Sequence, residues 1–380
     1  GIDLTYSLIS SYSKLSSGYK DTGSIQNPSS IFQSTVTEIL NLYSSVSLLS
    51  FSEVSETGDT TGHIRIGTST GPPTEAYAWY PYPNFYASGD IWLKSETDNY
   101  NKSPNLVDGT YWNAAIVHEI GHSLGLAHPH EAETINGKTY GTNVSSGEVH
   151  SSLPYSVMSY AEYVGETIGS SSNNYSKPTT LMIDDIAALQ YLYGINEQYN
   201  AGDNLYTLGS FSKDSLDYVY ASIWDAGGND TFSWADQSTI GAIDLNPGSF
   251  SCFGNISSVK DTDLASSTWS AGDGLLGIAY NANIENAIGG SASDTIAGNS
   301  SANTLYGGAG AGVKDTLTGN GGADIFVCSL SDASTDLSVA DIISDFTDGS
   351  DKIGLEDRTF SNLAISNGTG SYSDDTQIVD

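Results

Sequence analysis

Apolar residues fall at helical spacing in "SIFQSTVTEILNLYSSV" (30–46), where Ile31, Val36, Ile39, Leu40 and Tyr43 would share one face. "GHIRIGTS" (62–69) alternates apolar and polar as a half-buried strand does. "EAYAWYP" and "GDIWLK" also read as strands. The pattern returns to helix from about Tyr111 to Leu124 and again over "PTTLMIDDIAALQYLYG" (178–194). In that last segment Thr180 is placed to cap, acids occupy the first turns, and Gly194 is a stop.

Beyond Gly194 the texture changes. Long helical patterns vanish, and short apolar pairs stand between Gly, Asn and Asp. Residues 289–327 read as four loose repeats, "GGSASDTIA", "GNSSANTLY", "GGAGAGVKDTLT" and "GNGGADIFV". They approximate G-G-x-G-x-D-x-U-x with U apolar, the unit of a parallel β-roll that binds Ca²⁺ between its coils. Ile296, Leu305, Leu317 and Phe326 keep the apolar period. Gly290, Asp294, Gly307, Gly308, Gly310, Asp315 and Asp324 are the expected calcium positions. The ligand pattern is less regular: Asn303 replaces the aspartate, and Ala292 and Ser301 take glycine positions. Fewer calcium ions are expected than perfect repeats would bind. The expected organisation is therefore an α+β domain over 1–195 followed by an all-β roll or sandwich over 196–380.

Composition sharpens this. Among 380 residues, 45 are acidic and 12 basic, a formal net charge of −33. Such a chain avoids nucleic acid and anionic membranes. Its carboxylates serve either a highly soluble surface or bound cations. Tyr (24) and Gly (41) are abundant, as in turn-rich β proteins. Cys252 and Cys328 form either one bridge or two lone thiols, not a disulfide framework. No apolar run approaches transmembrane length. The start at Gly1, without Met or a basic segment, is expected to be either a processed end or an artificial cut in the chain.

The chemistry concentrates in "HEIGHSLGLAHP" (118–129), which holds three of the six histidines. His118 and His122, at i and i+4, share a helix face. Gly125 can turn the chain so that His128 joins them. H-E-x-x-H-x-x-G-x-x-H is the ligand set of a catalytic zinc with an open position, with Glu119 as general base. Zinc lowers the pKa of water to roughly 7. Glu119 would move the proton during peptide-bond hydrolysis. Thirty residues on, "SVMSY" supplies Met158 for the Met-turn of a metzincin, an apolar floor under the metal.

These segments, with "MIDDIAALQYLYG", "SIWDAGGNDTF", "NIENAIGGSASDTI" and "DIISDFTDGSDKIGL", resemble the serralysins, secreted bacterial zinc metalloproteases with calcium-binding repeats. Pro129 fits that resemblance; before residue 60 it is weak. The resemblance implies a metzincin domain and His118, His122 and His128 as zinc ligands, with Glu119 as base. It also implies Tyr160 as a resting-state zinc ligand that swings away and stabilises the oxyanion. Ala76, Tyr77, Ala78 and Trp79 look like the edge strand that pairs with extended substrate, which favours broad specificity. Asp225, Gly227, Gly228 and Asp230 match a calcium loop whose partners would be Asn200, Gly202 and Asn204. Asn283 and Glu285 would complete a neighbouring site, and Asp341 and Asp348 are further candidates.

The implied protein is a secreted monomer acting on proteins or peptides, with one Zn²⁺ and several Ca²⁺. The family's C-terminal export signal is not evident in "SYSDDTQIVD", so the expectation is a trimmed chain or another export route. The competing class is a calcium-dependent adhesin or toxin module with an inactive protease-like domain. An intact Glu119 favours the enzyme. His63 reads as a sheet residue, His130 as solvent-exposed, and His150 as a loop residue. Asp184 and Asp185 read as helix N-terminal charges that also support the zinc site. "YAWYPYPNFY" reads as packing or a loop rimming the cleft.

Overall fold

The structure, a computed structural model, describes residues 1–10, 23–57, 60–71, 74–95, 100, 106–135, 138–141, 143–145, 148–167, 177–211, 220–254, 274–310, 312–329 and 337–355. The C-terminal "SYSDDTQIVD" lies outside them.

The first half is built on β1 (Ile2–Leu8), β2 (Ile25–Gln26), β3 (Leu49–Glu53), β4 (Ile64–Ser69), β5 (Ala76–Ala78) and β6 (Ile91–Lys94). They form one sheet in the order β3-β1-β4-β6-β5, with β2 paired to β4. The pairs β1–β3, β1–β4 and β4–β6 are parallel, whereas β5 runs antiparallel to β6 at the sheet edge. The strands β1 and β3 were not legible in the sequence. Their burial does not alternate cleanly, so the period-2 signal is lost.

Helix α1 (Ser30–Val46) starts where Ser29 Oγ accepts from Phe32 N–H at 3.2 Å. It buries Phe32, Val36, Ile39, Leu40 and Tyr43 along one face. Helix α2 (Tyr111–Ser123) is capped by Thr110, whose Oγ1 accepts from Asn113 N–H. It packs on β5, β6 and α1. Helix α3 (Ile183–Tyr193) starts later than expected, and Thr180 does not cap it. Asp185 Oδ2 accepts from Met182 N–H at 3.0 Å and closes the first turn instead. Thr180 Oγ1 accepts from Ser222 N–H at 2.7 Å, and Thr179 N–H donates to Tyr220 O. These bonds tie the approach to α3 to a strand of the second half.

From residue 205 onward, short strands lie in two sheets, and the helices described there are a short α-helix, Leu208–Phe211, and a 3-10 turn, Leu337–Val339. Strands 286–288, 304–306, 325–328 and 352–355 pair in parallel in one sheet, and 295–297, 316–318 and 342–343 in the other. Each repeat thus contributes a strand to the sheet opposite its predecessor, as a β-roll requires. Ile296, Leu305 and Phe326 are fully buried and Leu317 nearly so. Each contributes about 1.5–3 kcal/mol by leaving water. Cys252 is buried and Cys328 half-buried, and no disulfide joins them. No helix among the described residues is long and apolar enough to cross a membrane.

Candidate metal centre

The C-terminal turn of α2 decides where the third histidine goes. Leu126 N–H donates to Gly121 O and Gly125 N–H to His122 O, both at 2.9 Å, the paired bonds of a Schellman turn. Gly125 has φ +94°, a conformation that a side chain would strain. The chain therefore reverses and returns His128 to the helix. Its Nε2 lies 3.0 Å from both His118 Nε2 and His122 Nε2.

The opposite ring nitrogens fix the tautomers. His118 Nδ1 donates to Val157 O at 2.9 Å, His122 Nδ1 to Leu126 O at 2.7 Å, and His128 Nδ1 to Glu131 Oε2 at 2.9 Å. Every Nε2 is then an unprotonated lone pair, and three of them converge without a proton between them. A bound cation relieves that arrangement. The spacing suits one ion held by Zn–N bonds of about 2.0–2.1 Å, so the residues fit zinc. Burial and the neighbouring imidazoles depress the basicity of His118, and the same causes bring His128 down to about 3. Both rings stay neutral and metal-competent.

Glu119 stands beside the triad, only 7% exposed, and its Oε2 has no hydrogen-bond partner among the described residues. Burial pushes its carboxyl up to about 8. An unpartnered carboxylate here is an orphan unless it faces solvent or substrate protons.

Met158 lies beneath the helix, 1% exposed. A Cβ built on Gly121 would stand 2.6 Å from Met158 Sδ and 3.3 Å from Tyr43 Oη, so a glycine is needed between the two helical histidines. The Met-turn is held by Asp185, which accepts from Ser156 Oγ at 2.7 Å and Val157 N–H at 2.8 Å. Tyr160 is half exposed, its ring 4.5 Å from His128 and 5.6 Å from His118. Burial, then the charges of Glu119 and Glu131, raise its phenol to about 12.

The aromatic run rims this centre: the Tyr80 ring meets His122 edge-on at 5.2 Å, and Trp79 packs on Phe85. Ala76, Tyr77 and Ala78 form the edge strand beside α2, and Trp79 N–H continues the pairing to Asp90 O. Sequence reasoning missed Glu131 and the carbonyl acceptors of Leu126 and Val157, the latter because backbone acceptors leave no signature in residue type; Tyr80 lies in the run expected to pack or to rim the cleft. His130 departs from expectation: it is 3% exposed and packs against both His128 and Tyr160, whose rings also meet each other. His150 is exposed and contacts Asp184 Oδ2 at 2.8 Å, while Tyr280 OH donates to the other oxygen. His63 Nδ1 accepts from Thr5 N–H at 2.9 Å, a bond within the sheet region.

The positions expected for calcium also gather. Asn204 N–H donates to Asp230 Oδ1 (2.7 Å), Asp230 N–H to Glu285 Oε2 (2.8 Å) and Gly227 N–H to Asp225 Oδ1 (2.8 Å). A Cβ on Gly228 would meet Gly202 O at 2.5 Å. The Asn204 amide lies 2.5 Å from Gly202 O and 3.0 Å from Asn200 O. Turned one way its nitrogen donates to both; turned the other, its oxygen joins theirs around a cation. Asn283 contacts Glu285.

Along the roll a ladder recurs: Asp294 N–H donates to Asp315 Oδ1, Asp315 N–H to Asp341 Oδ1, Asn303 N–H to Asp324 Oδ1, and Asp324 N–H to Asp351 Oδ1. Gly290 N–H caps Asp294 Oδ2, and a Cβ on Gly307 would stand 2.4 Å from Asp315 Oδ2. Gly308, at φ +109°, lies against the Gly290 carbonyl; Gly310 lies against Val313. Asp345 and Asp351, unremarked in the sequence, belong to the ladder's edge, whereas Asp348 is exposed. Asp230 is raised to about 6 by burial and by Asp225 and Glu285 nearby, which is the cost of crowding carboxylates without cations.

Comparison with known proteins agrees with this arrangement. Residues 18–156 match the family model described as Matrixin, and residues 185–370 the one described as Peptidase M10 serralysin C terminal. Serralysin C of Dickeya chrysanthemi is 37% identical, the match covering 77% of this chain and 58% of that protein. Serralysin of Proteus mirabilis is 33% identical over 70% of this chain and 53% of its own length. Metallopeptidase AprA of Pseudomonas marginalis is 33% identical over 93% of this chain and 73% of its own. The chain thus spans between about half and three quarters of these relatives, and with both family models matched in order it belongs to the serralysin family.

Proposed function

We propose that the protein is a secreted zinc endopeptidase of broad specificity, a monomer that cleaves extended protein or peptide substrates. The observation that carries this is the convergence of three imidazole Nε2 lone pairs at 3.0 Å beside buried Glu119, whose Oε2 has no hydrogen-bond partner among the described residues. Zinc held by His118, His122 and His128 supplies Lewis acidity, polarising a carbonyl and acidifying water. Glu119 takes the proton from the attacking water and passes it to the leaving amine. Its position supports this role, since it is buried beside the triad and its Oε2 has no hydrogen-bond partner among the described residues. Tyr160, in the resting enzyme a further zinc ligand, donates its phenol O–H to the developing oxyanion. The strand Ala76–Ala78 with Trp79 offers backbone groups to a substrate strand, so side chains are read weakly.

The division of labour is catalysis by residues 1–195 and calcium-dependent structure by 196–380, with the oxygen-lined turns at Asn200–Asn204 and Asp225–Asp230 and the Asp294–Asp315–Asp341 ladder supporting the latter.

Casein hydrolysis by the purified chain, before and after a zinc chelator, is the test. Glu119→Ala is expected to bind zinc and lose activity by several orders of magnitude. Full activity in that variant would overturn the mechanism.

A further inference from the structure

We propose that His130 and Glu131 form a second metal site beside the histidine triad, one that takes a borderline divalent cation such as Zn²⁺ and slows turnover when filled. The inference rests on the zinc reading only in assigning the Nε2 atom of His128 to the first ion. Three observations carry it.

His130 is buried to 97% of its surface, yet neither ring nitrogen has a hydrogen-bond partner among the described residues. Burying an imidazole with two unanswered polar atoms is costly unless something else answers them. The nearest candidate is a metal ion.

Second, Glu131 presents one oxygen to each histidine. Its Oε2 accepts from His128 Nδ1 at 2.9 Å, and its Oε1 lies 3.9 Å from His130 Nε2. That gap is too long for a hydrogen bond and wide enough for an ion bound at about 2.0–2.2 Å to each atom. Ligand atoms of His128, His130 and Glu131 all lie within 4.8 Å of one another.

Third, the site is open on one side and coupled on the other. The Glu131 side chain is 48% exposed, so an ion can enter from solvent and keep water as its remaining ligands. The His130 ring stacks on His128 at 5.1 Å and lies 4.8 Å from Tyr160. An ion there draws Glu131 away from His128 and crowds Tyr160. One imidazole with one carboxylate selects zinc, nickel or copper over calcium.

The experiment uses the full chain, saturated with Ca²⁺ and stripped of transition metal, titrated with ZnCl₂ by calorimetry while peptide cleavage is followed. The parent is expected to show a tight event that accompanies activity and a weaker one that accompanies its loss. His130→Ala should keep the tight event and weaken the second by at least about 10–100-fold; Glu131→Gln should weaken the second at least as much, and any slackening of the tight event there reports the bond that Glu131 makes to His128 Nδ1. Excess zinc should then spare their activity. A single event in the parent, or a second event and inhibition that persist in both variants, overturns the proposal. A missing tight event counts against the triad instead, and the second site is then scored by the difference between parent and variants.

Discussion

Asp185 reaches His118 through a single residue: its Oδ2 accepts from Val157 N–H at 2.8 Å, and the Val157 carbonyl accepts from His118 Nδ1 at 2.9 Å. The same carboxylate holds Ser156 and closes the first turn of α3 at Met182. One buried acid thus supports the helix start, the Met-turn and the carbonyl that fixes the tautomer of a triad histidine. Asp185→Ala strands three donors, two of them backbone N–H groups. Its expected effect is a loss of about 2–4 kcal/mol in stability and a roughly 10–100-fold weaker hold on zinc. Competition against a chromophoric chelator measures the second quantity. A variant that melts earlier but binds zinc as tightly as the parent would show that Val157 transmits nothing.

Tyr160 provides a separate test, because it sits at the centre without belonging to the triad. Its ring is 4.5 Å from that of His128, and it remains half exposed at the cleft. Tyr160→Phe keeps that packing and removes the donor. The expected outcome is a fall in kcat of about 10²–10³-fold with zinc content retained, the range found for removing one oxyanion donor. If kcat holds and only KM moves, the phenol serves substrate binding and not the transition state.

How far the sequence carried the reading depends on which groups do the work. The triad, Glu119 and Met158 are side chains at fixed spacing, so their type and separation announce them. The repeat apolar positions Ile296, Leu305, Leu317 and Phe326 were legible for the same reason, and each is now a buried strand centre. His130 was misread as exposed because nothing in its neighbours along the chain shows that His128 and Tyr160 close over it. Thr180 was misread as a cap because its real partner, Ser222 N–H, is 42 residues away. Long-range partners of backbone groups are written in the fold, not in local pattern.

Asp90 carries a pH dependence. Arg65 is committed to Glu56 through Nε–Oε1 at 2.8 Å and Nη2–Oε2 at 3.1 Å, and Asp90 Oδ2, 4.0 Å from Nη1, has no hydrogen bond among the described residues. Burial pushes the Asp90 carboxyl up to about 8. The folded state therefore prefers the neutral acid, while the unfolded chain ionises near the usual value of about 3.9. The stabilising contribution is complete below that value and is lost as pH rises toward 8, by at most about 1.4 kcal/mol per pH unit. Asp90→Asn removes the titration. Its melting temperature relative to the parent should climb steadily from pH 5 to pH 8; a constant difference across that range would mean that Asp90 is ionised throughout.

Asn303 makes its coil of the roll unlike the others. Its Nδ2 donates to Glu285 O at 2.9 Å and to Asn299 Oδ1 at 3.1 Å, and its Oδ1 accepts from Asn299 N–H at 2.8 Å. Asn299 in turn donates to Leu245 O and Ile284 O. Two amides answer carbonyls here, where the aspartates elsewhere can only accept. This coil is therefore expected to hold without a cation, while the neighbouring coils lean on one. Chelating Ca²⁺ should lower the melting temperature of the parent, because clustered carboxylates then repel. Asn303→Asp exchanges two donated hydrogen bonds for a buried charge facing the Glu285 carbonyl and the Asn299 side-chain oxygen. Without calcium it should cost about 2–4 kcal/mol. With calcium part of that loss should return, since the new carboxylate is a hard oxygen ligand. Thermal melts of parent and variant across a calcium titration measure both arms. Equal destabilisation with and without Ca²⁺ would show that no ion can enter this coil even when a carboxylate invites it.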